Sequence, residues 1–141
     1  MPYEIRSRGM TDHLLIRLKA RSMDPATCRQ YASEIRELAI AKGHSRIVVF
    51  RDIPAPLSLT EYFESAKLCG EILHGFRVAW VNPHPVNSEG LEFGITVANN
   101  RGALFRLFTS YAGAKAWFRE ESGSAKVRSS DGWNTAHMLA F

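Results

Sequence analysis

The sequence predicts an α/β fold: a mixed, mostly parallel sheet with an N-terminal β-hairpin and about four helices. Three observations carry that expectation. Short apolar, β-branched runs alternate with segments whose apolar residues recur at three- and four-residue spacing, the periods of strands and amphipathic helices. Helix starts and stops are spelled out by capping residues. From the second strand onward, each pair of strands is separated by a segment long enough to hold a helix, which is the crossover that parallel neighbours require.

Taken in order, Tyr3 to Arg8 alternates Tyr3 and Ile5 against Glu4 and Arg6, and His13 to Ala20 carries Leu14, Leu15, Ile16 and Leu18. The Gly-bearing turn Arg8–Asp12 joins the two as a hairpin. Asp24 before Pro25 reads as an N-cap followed by proline at the first helical position, where its missing N–H is harmless. That helix runs to about Lys42 on the stripe Cys28, Tyr31, Ala32, Ile35, Leu38 and Ala39, and Gly43 ends it. Arg46–Asp52 is a strand. After the stiff loop Ile53-Pro54-Ala55-Pro56-Leu57, Ser58 with Glu61 forms a capping box for a helix from Leu59 to Leu73. Its stripe is Leu59, Tyr62, Phe63, Ala66, Cys69 and Leu73, and Gly75 stops it. Phe76–Val81 is the next strand. A helix from about Ser88 to Asn99 turns Leu91, Ile95 and Ala98 inward, with Gly90 and Gly94 weakening it. Leu104–Phe108 is the last strand, and Thr109 or Ser110 caps a short helix through Trp117 and Phe118.

The 141 residues, 45% hydrophobic, suit one domain over residues 1–119 and a Ser/Gly-bearing extension over 120–141. The extension's apolar end, Met138, Leu139 and Phe141, folds back, meets a partner or stays disordered, and its aromatic residues suggest a homodimer. Neither an export signal nor a run of about 18 apolar residues occurs, so the expected location is the cytoplasm, with no transmembrane segment. Cys28 and Cys69 fall on helix stripes without a Cys-x-x-Cys pair and read as small buried hydrophobes. The net charge of +4 is scattered rather than clustered, which argues against nucleic acid as a partner.

No motif for covalent catalysis, phosphate wrapping or dinucleotide binding occurs: Gly-x-Ser-x-Gly, Gly-x-x-x-x-Gly-Lys-Ser/Thr and Gly-x-Gly-x-x-Gly are all missing. The histidines 13, 44, 74, 84 and 137 are dispersed. His74, three residues after Glu71, lies at a helix end, where it more readily serves the last carbonyls than a metal. No cofactor or metal is implied.

What remains is position. In parallel α/β sheets the loops at the strands' C-terminal ends form the usual crevice. Here those loops supply Asp52, Pro54, Pro56, Ser58, Asn82, His84, Asn87 and Ser110 as candidate binding residues. In the plainer reading Ser58 and Ser110 only cap helices, Asn87 turns the chain and Asp52 pairs with an arginine. In the functional one, this edge receives an anion, a phospholipid headgroup or a protein partner. Ser58 is also a phosphorylation candidate, since a phosphate there adds roughly two negative charges beside a helix N-terminus. Separately, Tyr62, Phe63, Ile72 and Trp80 read as ordinary core or, in the alternative, as the lining of an apolar cavity for an acyl chain, and Asp52 or Glu92 with His84 would be the one acid/base pair.

The order hairpin, then alternating helices and strands, resembles the STAS domain, in particular its SpoIIAA-like branch of small bacterial proteins. The likeness rests on Arg46–Asp52 with its proline loop, Arg77-Val78-Ala79-Trp80-Val81, Ala98-Asn99-Asn100-Arg101-Gly102, and Arg106-Leu107-Phe108-Thr109 followed by Ala112 to Phe118. It spans about residues 3–119. The resemblance implies a non-enzymatic regulatory module that binds a protein partner through the Pro54–Phe63 region. The alternative, by likeness to CRAL-TRIO-type lipid binders, is a carrier of a small anionic ligand or lipid. The family's Asp-Ser-Ser/Thr-Gly phosphorylation motif is replaced here by Asp52-Ile53-Pro54-Ala55-Pro56-Leu57-Ser58, so its switch does not carry over by motif.

Overall fold

Capping side chains open three of the four described helices where the residue pattern predicts them. The computed structural model describes residues 3–121, with the order β1 (Glu4–Gly9), β2 (Leu14–Lys19), α1 (Pro25–Lys42), β3 (Arg46–Asp52), α2 (Leu59–Ile72), β4 (Arg77–Val81), α3 (Ser88–Asn99), β5 (Leu104–Phe108) and α4 (Tyr111–Glu121). The Asp24 carboxylate accepts the Thr27 N–H at 2.8 Å to open α1, and Gly43 closes it at φ 73°, a left-handed conformation that favours glycine. Ser58 and Glu61 form the reciprocal capping box of α2. A 3-10 turn, Pro85–Asn87, leads into α3 and lies outside the sequence expectation. The conformation and self-association expected of the extension concern residues outside the described ones.

The five strands form one sheet in the order β1-β2-β3-β4-β5, antiparallel between β1 and β2 and parallel elsewhere. Spatial order therefore follows chain order, and the three crossovers wind in one direction. Helices α1, α2 and α3 all cover one face, which buries Leu14, Ile16, Leu18, Ile47, Val49, Val78, Trp80 and Phe105. Among the described residues only α4 covers the other face, setting Tyr111, Ala114, Trp117 and Phe118 against Leu15, Val48, Phe50, Ala79 and Val81. Along the register Ile16, Val49, Trp80 and Leu107 stand side by side under the three-helix layer. Because strand order never reverses among the described residues, these five strands offer no switch point to open a crevice at the sheet's edge. Any deep site must lie between helices and sheet.

Two stripe assignments need correction. Leu59 and Phe63 are 66% and 38% exposed, so they do not belong to the buried face of α2. Leu59 sits in the first turn, and α2 turns Tyr62, Ser65, Cys69 and Gly70 inward instead. On α3 the fully covered residues are Gly94, Val97 and Ala98. The glycines that weaken α3 locally explain this: α2 and α3 approach through Gly94 against Ala66 and through Gly70 against Ala98, where a Cβ on Gly70 would lie 3.2 Å from the alanine methyl. A Cβ on Gly90 would overlap the Tyr62 ring.

Candidate functional site

Two side-chain clusters lie toward the C-terminal ends of the strands. The first contains residues expected from sequence. His84 Nε2–H donates to Asp52 Oδ1 at 2.8 Å, and Arg17 Nη2 approaches Asp52 Oδ2 at 3.9 Å. Asn82 orients the histidine: its amide donates to the His84 carbonyl at 2.8 Å and accepts the His84 N–H at 3.1 Å. Asn87 donates to the Ile53 carbonyl at 2.8 Å, tying the 3-10 turn to the proline loop. The structure thus brings Asp52, Asn82, His84 and Asn87 into one network and pairs His84 with Asp52 rather than Glu92. One Asp52 oxygen meets the His84 imidazole and the other faces the Arg17 guanidinium, so the network joins β2, β3 and the loop after β4.

The two serines behave differently. Ser58 accepts from Glu61 N–H at 3.1 Å and Ser110 accepts from Gly113 N–H at 3.1 Å, so each hydroxyl serves its own helix. Pro54 and Pro56 are exposed on the connecting loop, with Pro54 beside an open groove of about 830 Å³ that also includes Glu4, Lys19, Arg21 and Asp24. Its charges are of both signs and the groove opens to solvent.

The second cluster was not foreseen as a cluster. Where α1, α2 and α3 cross the sheet they leave a cavity of about 50 Å³, enough for roughly three to five waters at about 10–15 Å³ each. Cys28 and Tyr31 come from α1, Tyr62, Ser65 and Cys69 from α2, and Arg51 and Trp80 from the sheet. Leu57, Leu91, Ile95 and Phe105 complete an otherwise apolar wall. Arg51 is 3% exposed, and among the described residues no Asp or Glu lines the cavity and no carboxylate forms an ion pair with the guanidinium. Six buried side-chain nitrogen or oxygen atoms among the described residues have no hydrogen-bond partner. Four of them, Arg51 Nη1, Tyr62 OH, Ser65 Oγ and Trp80 Nε1, belong to residues that line this one cavity. Buried polar groups are normally paired, so such a concentration marks a place rather than scattered imperfection.

Of the four residues expected to frame an acyl cavity, Tyr62 and Trp80 line this one, while Phe63 and Ile72 do not. Phe63 instead lies under the Arg101 guanidinium, 5.3 Å from ring centroid to charge. The cysteines are buried as expected, but not as isolated hydrophobes. Cys69 Sγ–H donates to Tyr31 OH at 3.7 Å. The Cys28 thiol is drawn below the ordinary thiol range by its hydrogen bond with Cys69, which outweighs burial, and the Arg51 charge acts in the same direction. Cys69 is pushed up by that same bond and by burial, so Cys28 ionises first. Tyr31 is pushed up as well, first by burial.

One signal in the sequence could have located Arg51. It follows Ile47 and Val49 at period two, on the strand face that the three helices cover. The pair Arg51-Asp52 reads as a polar strand end, and that hides the inward member. Among the described residues no group of three His, Cys, Asp or Glu side chains is placed to hold a metal, and no helix is long and apolar enough to cross a membrane. The chain matches no protein-family model, no curated protein and no solved structure.

Proposed function

We propose that the protein is a non-enzymatic, STAS-like regulatory module whose signal is a small ligand held in the cavity under α1, α2 and α3. The observation that carries this reading is the convergence of four side-chain atoms without a geometric hydrogen bond, Arg51 Nη1, Tyr62 OH, Ser65 Oγ and Trp80 Nε1, on one largely apolar space. Ligand sites combine apolar walls with a few convergent polar groups, which is the composition found here. Native mass spectrometry of the purified full chain tests it: an added mass that leaves on denaturation is the expected result. A ligand-free mass, together with no thermal stabilisation by any small acid or alcohol, would remove the reading.

A second reading places a protein partner on the Pro54–Phe63 segment. It is favoured by the exposure of Leu59 and Phe63, two large apolar residues on the first turns of one helix. Leu57 lies between the two sites, since it lines the cavity from within the same loop. Ligand occupancy would therefore be felt at the partner surface. Ser58 is exposed in that surface, and a phosphate there would set its charge beside Glu61. Binding assays with Ser58→Asp protein bear on the charge switch: unchanged affinity for every partner would rule it out.

A further inference from the structure

We infer that the cavity is a binding site for a small carboxylic acid with an apolar acyl or aryl body, its ionised carboxylate seated on Arg51. The inference rests on the reading that the cavity takes a ligand, and adds the charge, polarity and orientation of that ligand.

The guanidinium is the starting point. An arginine does not escape burial by losing its proton, so its charge persists inside the fold. Isolated charges in a low-dielectric interior are strongly unfavourable, and buried arginines are accordingly paired with acids. Among the described residues Arg51 has no such partner, its Nη1 makes no hydrogen bond, and no acid lines the cavity around it. The other unpaired groups sharpen the demand. Trp80 Nε1 is a donor only, and the Tyr62 hydroxyl is free to donate, while the Ser65 hydroxyl lies within reach of the Cys28 thiol. A set of donors around a cation calls for a group that only accepts, and an ionised carboxylate with about four acceptor sites is the compact one. An alcohol, amine or amide would bring donors of its own. A single guanidinium balances one negative charge, which favours a monoanion over a dianionic phosphate. The Leu57, Leu91, Ile95 and Phe105 walls suit a short apolar body.

An internal rival exists in Cys28, whose thiolate would also neutralise Arg51. One sulfur is a weak acceptor, however, and would leave the Trp80 and Tyr62 donors unpaired.

Thermal unfolding of the full chain with hexanoate or benzoate, set against hexanol or benzyl alcohol, tests the inference on unaltered protein. The acids are expected to raise Tm by roughly 5–10 °C at a concentration a hundredfold above Kd, and the alcohols to do much less. Arg51→Met protein should unfold at or above the wild-type temperature without ligand and lose its response to the acids, because the buried charge serves the ligand rather than the fold. Palmitate distinguishes the sources: a larger shift than with hexanoate points to a membrane-derived acyl chain, an equal or smaller one to a free short acid, and either supports a carboxylate on Arg51. Alcohols as effective as acids would overturn the inference while leaving a ligand-binding module in place. Ultraviolet thiolate absorbance at neutral pH that vanishes in Arg51→Met protein, with no response to the acids, would overturn it in favour of the Cys28 pair. If neither acids nor alcohols act and the purified chain carries no added mass, both readings fall.

Discussion

His13 is 2% exposed and held from both sides: Asp12 Oδ1 lies 2.7 Å from Nδ1 and the Tyr111 hydroxyl 2.6 Å from Nε2. A neutral ring satisfies both, with Nδ1–H donating to the carboxylate and Nε2 accepting from the phenol. Burial pushes the His13 pKa below its usual 6.5, the Asp12 bond works against this, and the charges of Lys115 and His44 add to the lowering. The linkage has a definite sign. The folded state binds this proton less readily than the unfolded chain, so the contribution of His13 to stability is full above 6.5 and is lost as pH falls toward the folded-state value. Urea unfolding at a series of pH values should show stability declining below 6.5, and the part of that slope due to His13 should disappear in His13→Gln protein. At Ser58 the expectation is simpler. Ser58→Ala removes one partner of the capping box and should lower stability by about 1 kcal/mol, read from the shift in denaturation midpoint.

Helices α2 and α3 show how an unfavourable local choice serves a tertiary contact. Gly90 lowers the intrinsic helix propensity of α3, yet Tyr62 occupies the space where its side chain would be. Gly90→Ala is therefore a contest of two terms: a gain of about 1 kcal/mol in helix propensity against roughly 1–3 kcal/mol of overpacking. We expect net destabilisation, together with displacement of Tyr62 from the cavity wall and weaker binding of any occupant. Calorimetry and ligand titration on the same variant would separate the two effects. By contrast, Gly43 is set by local geometry, since its positive φ closes α1 where nothing lies near its missing Cβ.

At the scale of the whole molecule, the sequential strand order makes the two faces of the sheet unequal. Among the described residues three helices shield one face and α4 alone shields the core of the other. A chain ending after Phe108 would expose Val48, Phe50, Ala79 and Val81 together. Such a patch invites association, so we expect strong binding of a hydrophobic dye and loss of the cooperative unfolding transition expected of the full chain. The same layering explains the depth of the candidate site. With no reversal of strand order, the space for a ligand lies between the three-helix layer and the sheet.

The element order and its boundaries were legible because their signals are local: Asp24 with Pro25, Ser58 with Glu61 and Gly43 each act within one turn of backbone. The Asp52–His84 pairing was readable as one of two choices, since both residues were assigned to strand-end loops. The cavity was not. Arg51, Cys28, Cys69, Ser65 and Trp80 come from four elements, and each alone satisfies an ordinary pattern of strand end, helix stripe or core aromatic. Sequence by itself determined the alternation of strands and helices, because propensity, capping and periodicity act between near neighbours. Only the tertiary structure decided that one arginine faces inward without an acid and that unpaired donors surround it. Electrostatic pairing depends on distances through space, which spacing along the chain does not encode.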